Sequence, residues 1–208
     1  MRGVLELYIV KGVTYSRCSK LLEKIRKNSN LIVVAIGSLN ECNKIIQESV
    51  NIIGITDVYD DVSIIRMLKN RDSYIAGHWK IISSNICIGG IDGHNPIQNL
   101  EMLSSSIPGI CRNLVLVSPY PMKSTSCSFI NILNKKISIG IDLSKFLEKI
   151  SIDRHRIVYI SYSNLIDRIC IDKINDSFIH IHIGGESPII IKILFNSIVG
   201  IEYAYDRN

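Results

Sequence analysis

The stretch NLIVVAIGSLNECNK, Asn30 to Lys44, constrains the fold most. Apolar residues run unbroken from Leu31 to Ile36, then come Gly37 and a polar turn, then a helix-like segment. The apolar run reads as a fully buried strand. Strand, polar turn and helix in that order are the grammar of an α/β protein, where the turn at the carboxyl end of a buried strand is the usual ligand-binding place.

The same grammar repeats through the first third. VLELYIV (4–10) is a strand and CSKLLEKIRK (18–27) a helix with Leu21, Leu22 and Ile25 on one face. ECNKIIQESV (41–50) is a short helix, NIIGIT (51–56) another buried strand, and VSIIRMLK (62–69) a helix after the acidic turn DVYDD. From about residue 73 the texture changes to short apolar runs broken by Gly and Ser-Asn, the look of antiparallel strands and tight turns. NLVLVSPYP (113–121) is a strand ending in a proline-bracketed loop. IDLSKFLEKI (141–150) is a helix that Asp142 caps, and RIVYISYSN (156–164) is a strand entering a polar turn. The tail from Asp167 to Asp206 is a succession of strands. No repeat, low-complexity tract or linker interrupts the 208 residues, so the expectation is one domain, residues 1–208, with two mixed sheets flanked by helices.

Isoleucine makes up about a fifth of the chain and favours strands. No apolar run approaches the roughly 18 residues of a membrane span, so no membrane contact is expected and the cytoplasm is the default location. Six cysteines stand at 18, 42, 87, 111, 127 and 170 with no CxxC pair, which argues against a zinc ribbon and predicts reduced, buried thiols. The net charge of +5 is spread thinly, so a solvated surface explains Arg26, Lys27, Lys135, Lys136, Arg154 and Arg156 as well as a nucleic-acid stripe does.

The order of elements and of polar turns resembles the calcineurin-like metallophosphoesterases, specifically their small single-domain members. LIVVAIGSLNE resembles the family's strand ending in Gly-Asp, and IIGITDVYDD the strand before its Gly-Asn-Cys/His-Asp turn. YIAGHWKIISSNICIGGIDGHNP resembles the paired strands leading to a Gly-x-x-Gly-x-Asn-Pro-like loop, and LVLVSPYP the strand ending in His and a proline-rich turn. IVYISYSN resembles the strand ending in Gly-His-x-His, and HIGGESP the late Asn-Pro-Gly-Ser turn. The resemblance implies a four-layered α/β/β/α sandwich. It also implies a site in which two divalent metals activate a water and clamp a phosphate.

The residues at the family's ligand positions do not suit that chemistry. YIVKGVTYS (8–16) contains no Asp-x-His. The bridging Asp falls on Ser38, and the Asn of the third turn falls on Val58, followed by Tyr59. Asp60 keeps its acid. The His of the fourth turn falls on Ser118, and the two His of the last fall on Tyr162 and Asn164, with Ser161 at the glycine. Hydroxyl, phenol and aliphatic groups do not replace carboxylates and imidazoles as metal donors. The resemblance therefore implies a kept scaffold and an abandoned metal site.

Other residues could carry chemistry. Asp57, Asp60 and Asp61 could hold one Mg²⁺, but a solvated turn with Asp61 capping the next helix is the plainer reading. His180 and His182 share one strand face, as a zinc pair would, with no third ligand evident. His78, Asp92 and His94 sit among turn residues. Ser118, Ser126 and Ser161 have no G-x-S-x-G context and no base partner visible in the sequence.

The expectation is therefore a catalytically inactive phosphoesterase-like protein. By analogy with relatives that have lost ligands, it serves as an interaction or scaffold module in a larger assembly, without a cofactor. Its protein partner would anchor on Tyr15, Tyr59, Tyr120 and Tyr162, placed on loops at the former active-site end. The first alternative is a metal-dependent phosphoesterase with a rearranged Mn or Zn set drawn from Asp57, Asp60, Asp92, His94 and Asn164. The second is a nucleic-acid-binding module.

Overall fold

Apolar runs that alternate with amphipathic segments build one sheet, and shorter runs build another. The computed structural model describes residues 5–11, 15–28, 30–150, 154–163, 165–185, 189–194 and 197–203. The chain divides into two compact units, Met1–Tyr74 with Glu186–Asn208, and Ile75–Gly185. Each contains one large mixed sheet.

In the first unit, β1 (Leu5–Val10), β2 (Ile32–Ile36) and β3 (Asn51–Ile55) run parallel. They are joined by α1 (Tyr15–Lys27), by a 3-10 turn (Asn40–Cys42) with α2 (Lys44–Glu48), and followed by α3 (Val62–Asn70). In α1 the spacing of Cys18, Leu21, Leu22 and Ile25 makes one buried stripe, and in α3 Ile64 and Leu68 do the same. These side chains pack with Tyr8, Val10, Val33, Ala35 and Ile52 in one core cluster. Burying each such Leu or Ile contributes about 1.5–3 kcal/mol. The intervening residues Leu7, Ile9, Val34, Ile36 and Ile55 are buried too, which is why the strands read as unbroken apolar runs.

In the second unit, β4 (Trp79–Ser83) and β5 (Ile86–Gly90) form an antiparallel pair. They are followed by α4 (Pro96–Ser105), β6 (Asn113–Ser118), a 3-10 turn (Ser126–Ser128) and the small hairpin of β7 (Phe129–Ile132) with β8 (Lys135–Ser138). Then come α5 (Ser144–Lys149), β9 (Arg156–Tyr162), β10 (Cys170–Asn175) and β11 (Phe178–Ile183). The sheet order is β10-β11-β9-β6-β5-β4, with β5, β6, β9 and β11 mutually parallel. Leu100, Leu103, Phe146 and Ile150 of the helix side pack on Leu114, Leu116, Ile157 and Tyr159. The last strands, β12 (Ile189–Leu194) and β13 (Ser197–Tyr203), return to the first unit, whose sheet order is β13-β12-β1-β2-β3.

Three local expectations need correction. Pro96 opens a ten-residue helix where the sequence suggested a turn alone, because proline is well suited to the first helical position. Tyr15 is the first residue of α1 rather than part of a loop. The cysteines are not free: Cys18–Cys42, Cys87–Cys111 and Cys127–Cys170 are disulfides, with Cα atoms 5.5, 5.8 and 5.5 Å apart, within the range that bridging requires. Disulfides of this number belong to proteins that mature where thiols are oxidised, or to intracellular proteins of hyperthermophiles. Among the described residues no helix is long and apolar enough to cross a membrane.

Candidate functional site

The carboxyl ends of β1, β2 and β3 meet in register, Val10 opposite Ala35 and Ile36 opposite Ile55. Each strand delivers one part of a polar cluster: Lys11 after β1, Gly37 and Ser38 after β2, Asp57 to Asp60 after β3. Gly37 and Ser38 both adopt left-handed backbone, with φ of 66° and 52°. A Cβ at Gly37 would collide with Asp57, so glycine is required by conformation and by space.

Asp57 and Asp60 do not form a solvated turn; both are buried, as is Lys11. The Asp60 carboxylate accepts the backbone N–H groups of Ser38, Leu39 and Asp57, each at 2.8 Å. Burial raises its pKa despite these three bonds, and the nearby Asp57 adds to the rise. Asp57 Oδ1 accepts from Val58 N at 2.5 Å, and its Oδ2 lies 3.5 Å from both Lys11 Nζ and Ser38 Oγ. Burial lowers the Lys11 pKa, and the charges of Asp57 and Asp60 oppose that lowering. Asn40 clamps the two loops together by donating to the Tyr59 carbonyl (2.9 Å) and accepting from Asp61 N (3.0 Å). Asp61 caps α3 through Ser63 N, as the sequence predicts.

The cluster is thus a lysine and two aspartates already engaged by backbone and by one another. Sequence reasoning put Ser38, Val58 and Asp60 here but missed Lys11, whose only sequence signal is a charge directly after a buried strand. Val58 and Tyr59 turn outward, Tyr59 being 79% exposed.

The remaining positions lie in the second unit. Ser118 and Ser161 end β6 and β9 side by side and are buried. Tyr162 is 1% exposed, within β9, so it offers no surface anchor. Tyr120 is half-buried and donates its hydroxyl to the Gly93 carbonyl at 2.8 Å. Asn164 and the side chain of Tyr15 lie outside the described residues.

Ser161 does have histidine partners. Parallel pairing of β9 with β11 sets Ser161 opposite His182 and Tyr159 opposite His180. Thr125 donates its hydroxyl proton to the Met122 carbonyl at 2.9 Å, so its oxygen accepts from His180 Nδ1 at 3.0 Å. Nε2 of His180 is then the acceptor for the Ser161 hydroxyl at 2.8 Å, and Ser161 in turn accepts from His182 Nδ1 at 2.9 Å. Burial, with the neighbouring His182 charge adding to it, pulls the His180 pKa down to about 3, so the ring is neutral. A serine donating to imidazole has the connectivity of a nucleophile and base, but Ser161, His180 and His182 have no exposed surface. The network joins strands and loop. The turn carrying Thr125 is held over it by Cys127–Cys170 and by Ser126 N donating to Asp172 at 2.7 Å.

Asp92 and Asn99 are structural as well: Asp92 accepts from the backbone N–H groups of His94 and Asn95 and leads the chain into α4, while Asn99 accepts from Asp92 N; His94 itself is exposed. Among the described residues no group of three His, Cys, Asp or Glu side chains is arranged to hold a metal ion.

No family model matches the chain, and no curated protein matches it in sequence. Solved structures do match. One crystal structure is 11% identical, with 98% of this chain and all of the other covered, at a TM-score of 0.64. The purple acid phosphatase PPD1 from yellow lupin (Lupinus luteus) seeds is 11% identical over 92% of this chain and 50% of its own, at a TM-score of 0.47. At such identities the likeness is one of fold: a mixed α/β chain with two large mixed sheets.

Proposed function

We propose that the chain is a catalytically silent relative of the metallophosphoesterases, a single four-layered α/β/β/α domain used as an interaction module within a larger protein assembly. One observation carries the reading: the buried Lys11 ammonium, 3.5 Å from Asp57, sits at the strand ends where the resemblance would place a metal. A fixed cation there neutralises Asp57 and repels a second cation. Asp60 is committed to three backbone N–H groups that would lose their acceptor if it turned to a metal.

The partner would be a protein that receives the outward side of the same loop. Val58, Tyr59 and Val62 are exposed apolar groups within five positions, and a protruding tyrosine is a common interface anchor. The test is recovery of the tagged protein from its source cells. A defined complex retained by the wild type and lost by Tyr59→Ala supports the reading; recovery of the wild type only as free monomer overturns it.

A further inference from the structure

The six-stranded sheet has a second polar end. Ser118 and Ser161 lie at the carboxyl ends of β6 and β9, whereas Arg112 and Arg154 lie just before their amino ends. The two approaches are tied by Arg156 N donating to the Arg112 carbonyl at 2.9 Å. A cavity of about 430 Å³ opens there, between these approaches, the end of α4 and the end of α5. Its polar wall is Arg112, Lys149, Arg154 and His155; Ile107 and Pro108 form part of its apolar wall.

Among the described residues, the charge lining this cavity is all of one sign. No carboxylate is among its described lining residues. Among the described residues, Arg112, Lys149 and Arg154 take part in no ion pair. Gathering like charges without a counter-charge is unfavourable, and a bound anion removes the penalty. His155 lines the same wall, its ring beside the Cys111 carbonyl. Burial favours the neutral ring, and Arg112 and Arg154 add to that effect. The Cys111 carbonyl opposes it. The hydroxyls of Ser104 and Ser105 are turned back onto the Glu101 carbonyl and supply no donor.

We propose that this cavity binds a phosphoryl dianion, held by the guanidinium groups of Arg112 and Arg154 and the Lys149 ammonium. Two guanidinium forks suit the paired oxygens of a phosphoryl group. The volume falls in the range of small-molecule sites, and the apolar wall leaves room for the body of a phosphoester beside the anion. The site is independent of the Lys11 cluster and goes beyond the interaction role proposed above.

Titration calorimetry of the full chain at low salt, with inorganic phosphate and with phenyl phosphate as probes, tests this. The expected result is binding that weakens at least tenfold in Arg112→Ser/Arg154→Ser and separately in Lys149→Ser, with no change in Lys135→Ser/Lys136→Ser. All these side chains are exposed, so the fold is retained. Tighter binding of phenyl phosphate identifies a phosphoester as the ligand; equal affinities identify free phosphate, and both support the anion site. No binding of either probe, or binding that the arginine and lysine variants leave unchanged, overturns it.

Discussion

Lys11 Nζ lies 3.5 Å from Asp57 Oδ2, and both side chains are buried. The lysine arrives from the end of β1 and the aspartate from the end of β3, so the pair joins two loops of one parallel sheet. It makes these strand ends an internally neutralised cluster.

Breaking that pair leaves a buried, uncompensated charge. Lys11→Met should destabilise the fold by roughly 3 kcal/mol, the usual range for removing one partner of a buried pair. Lys11→Met/Asp57→Asn should recover a large part of the loss. Urea unfolding of the two variants checks both expectations.

Asp60 accepts three backbone N–H groups, so Asp60→Ala should cost about 2–4 kcal/mol through unsatisfied donors. Asp60→Asn should cost less, since it keeps one acceptor oxygen. Thermal melts of the two variants at one pH give the comparison.

His180 makes stability fall in acid. Its folded pKa of about 3 lies below the ordinary value of 6.5, so the unfolded chain binds the proton first as pH falls. Stability is full above about pH 6.5 and declines toward pH 3, by roughly 4–5 kcal/mol at the limit. Protonated His180 would also direct an Nε2–H at the Ser161 hydroxyl that now donates to it. Unfolding free energy measured against pH should show this slope, and His180→Gln should flatten it.

The three disulfides close loops of 24, 24 and 43 residues. Each should contribute about 2–4 kcal/mol by restricting the unfolded chain. Dithiothreitol should lower the melting temperature, and thiol titration under denaturing conditions without reductant should find no free cysteine. Six titratable thiols in the protein as isolated would contradict the pairing.

Much of the architecture was legible because continuous apolar runs and 3.6-residue stripes report burial directly. Leu31–Ile36, Asn51–Thr56 and Leu21–Ile25 fell where the pattern placed them. The helix after Pro96 was hidden by the turn residues before it, and the parallel pairing of β9 with β11 has no local signal. That pairing brings Ser161 to His180, nineteen positions away, so the hydroxyl–imidazole network was invisible in a linear reading. Lys11 was missed for a related reason: a single lysine after a strand reads as solvated until the topology buries it against Asp57. The cysteines paired across separations of 24 and more, where spacing carries no pairing rule.

The central claim is that a lysine cation stands where the resemblance would place catalytic metals. Calorimetric titration of the wild type with Mn²⁺, with aryl phosphate hydrolysis followed in the same samples, tests it most directly. The account predicts no stoichiometric metal binding and no Mn²⁺-dependent turnover. Tight binding of two Mn²⁺ with turnover, both abolished by Asp57→Ala, would contradict it.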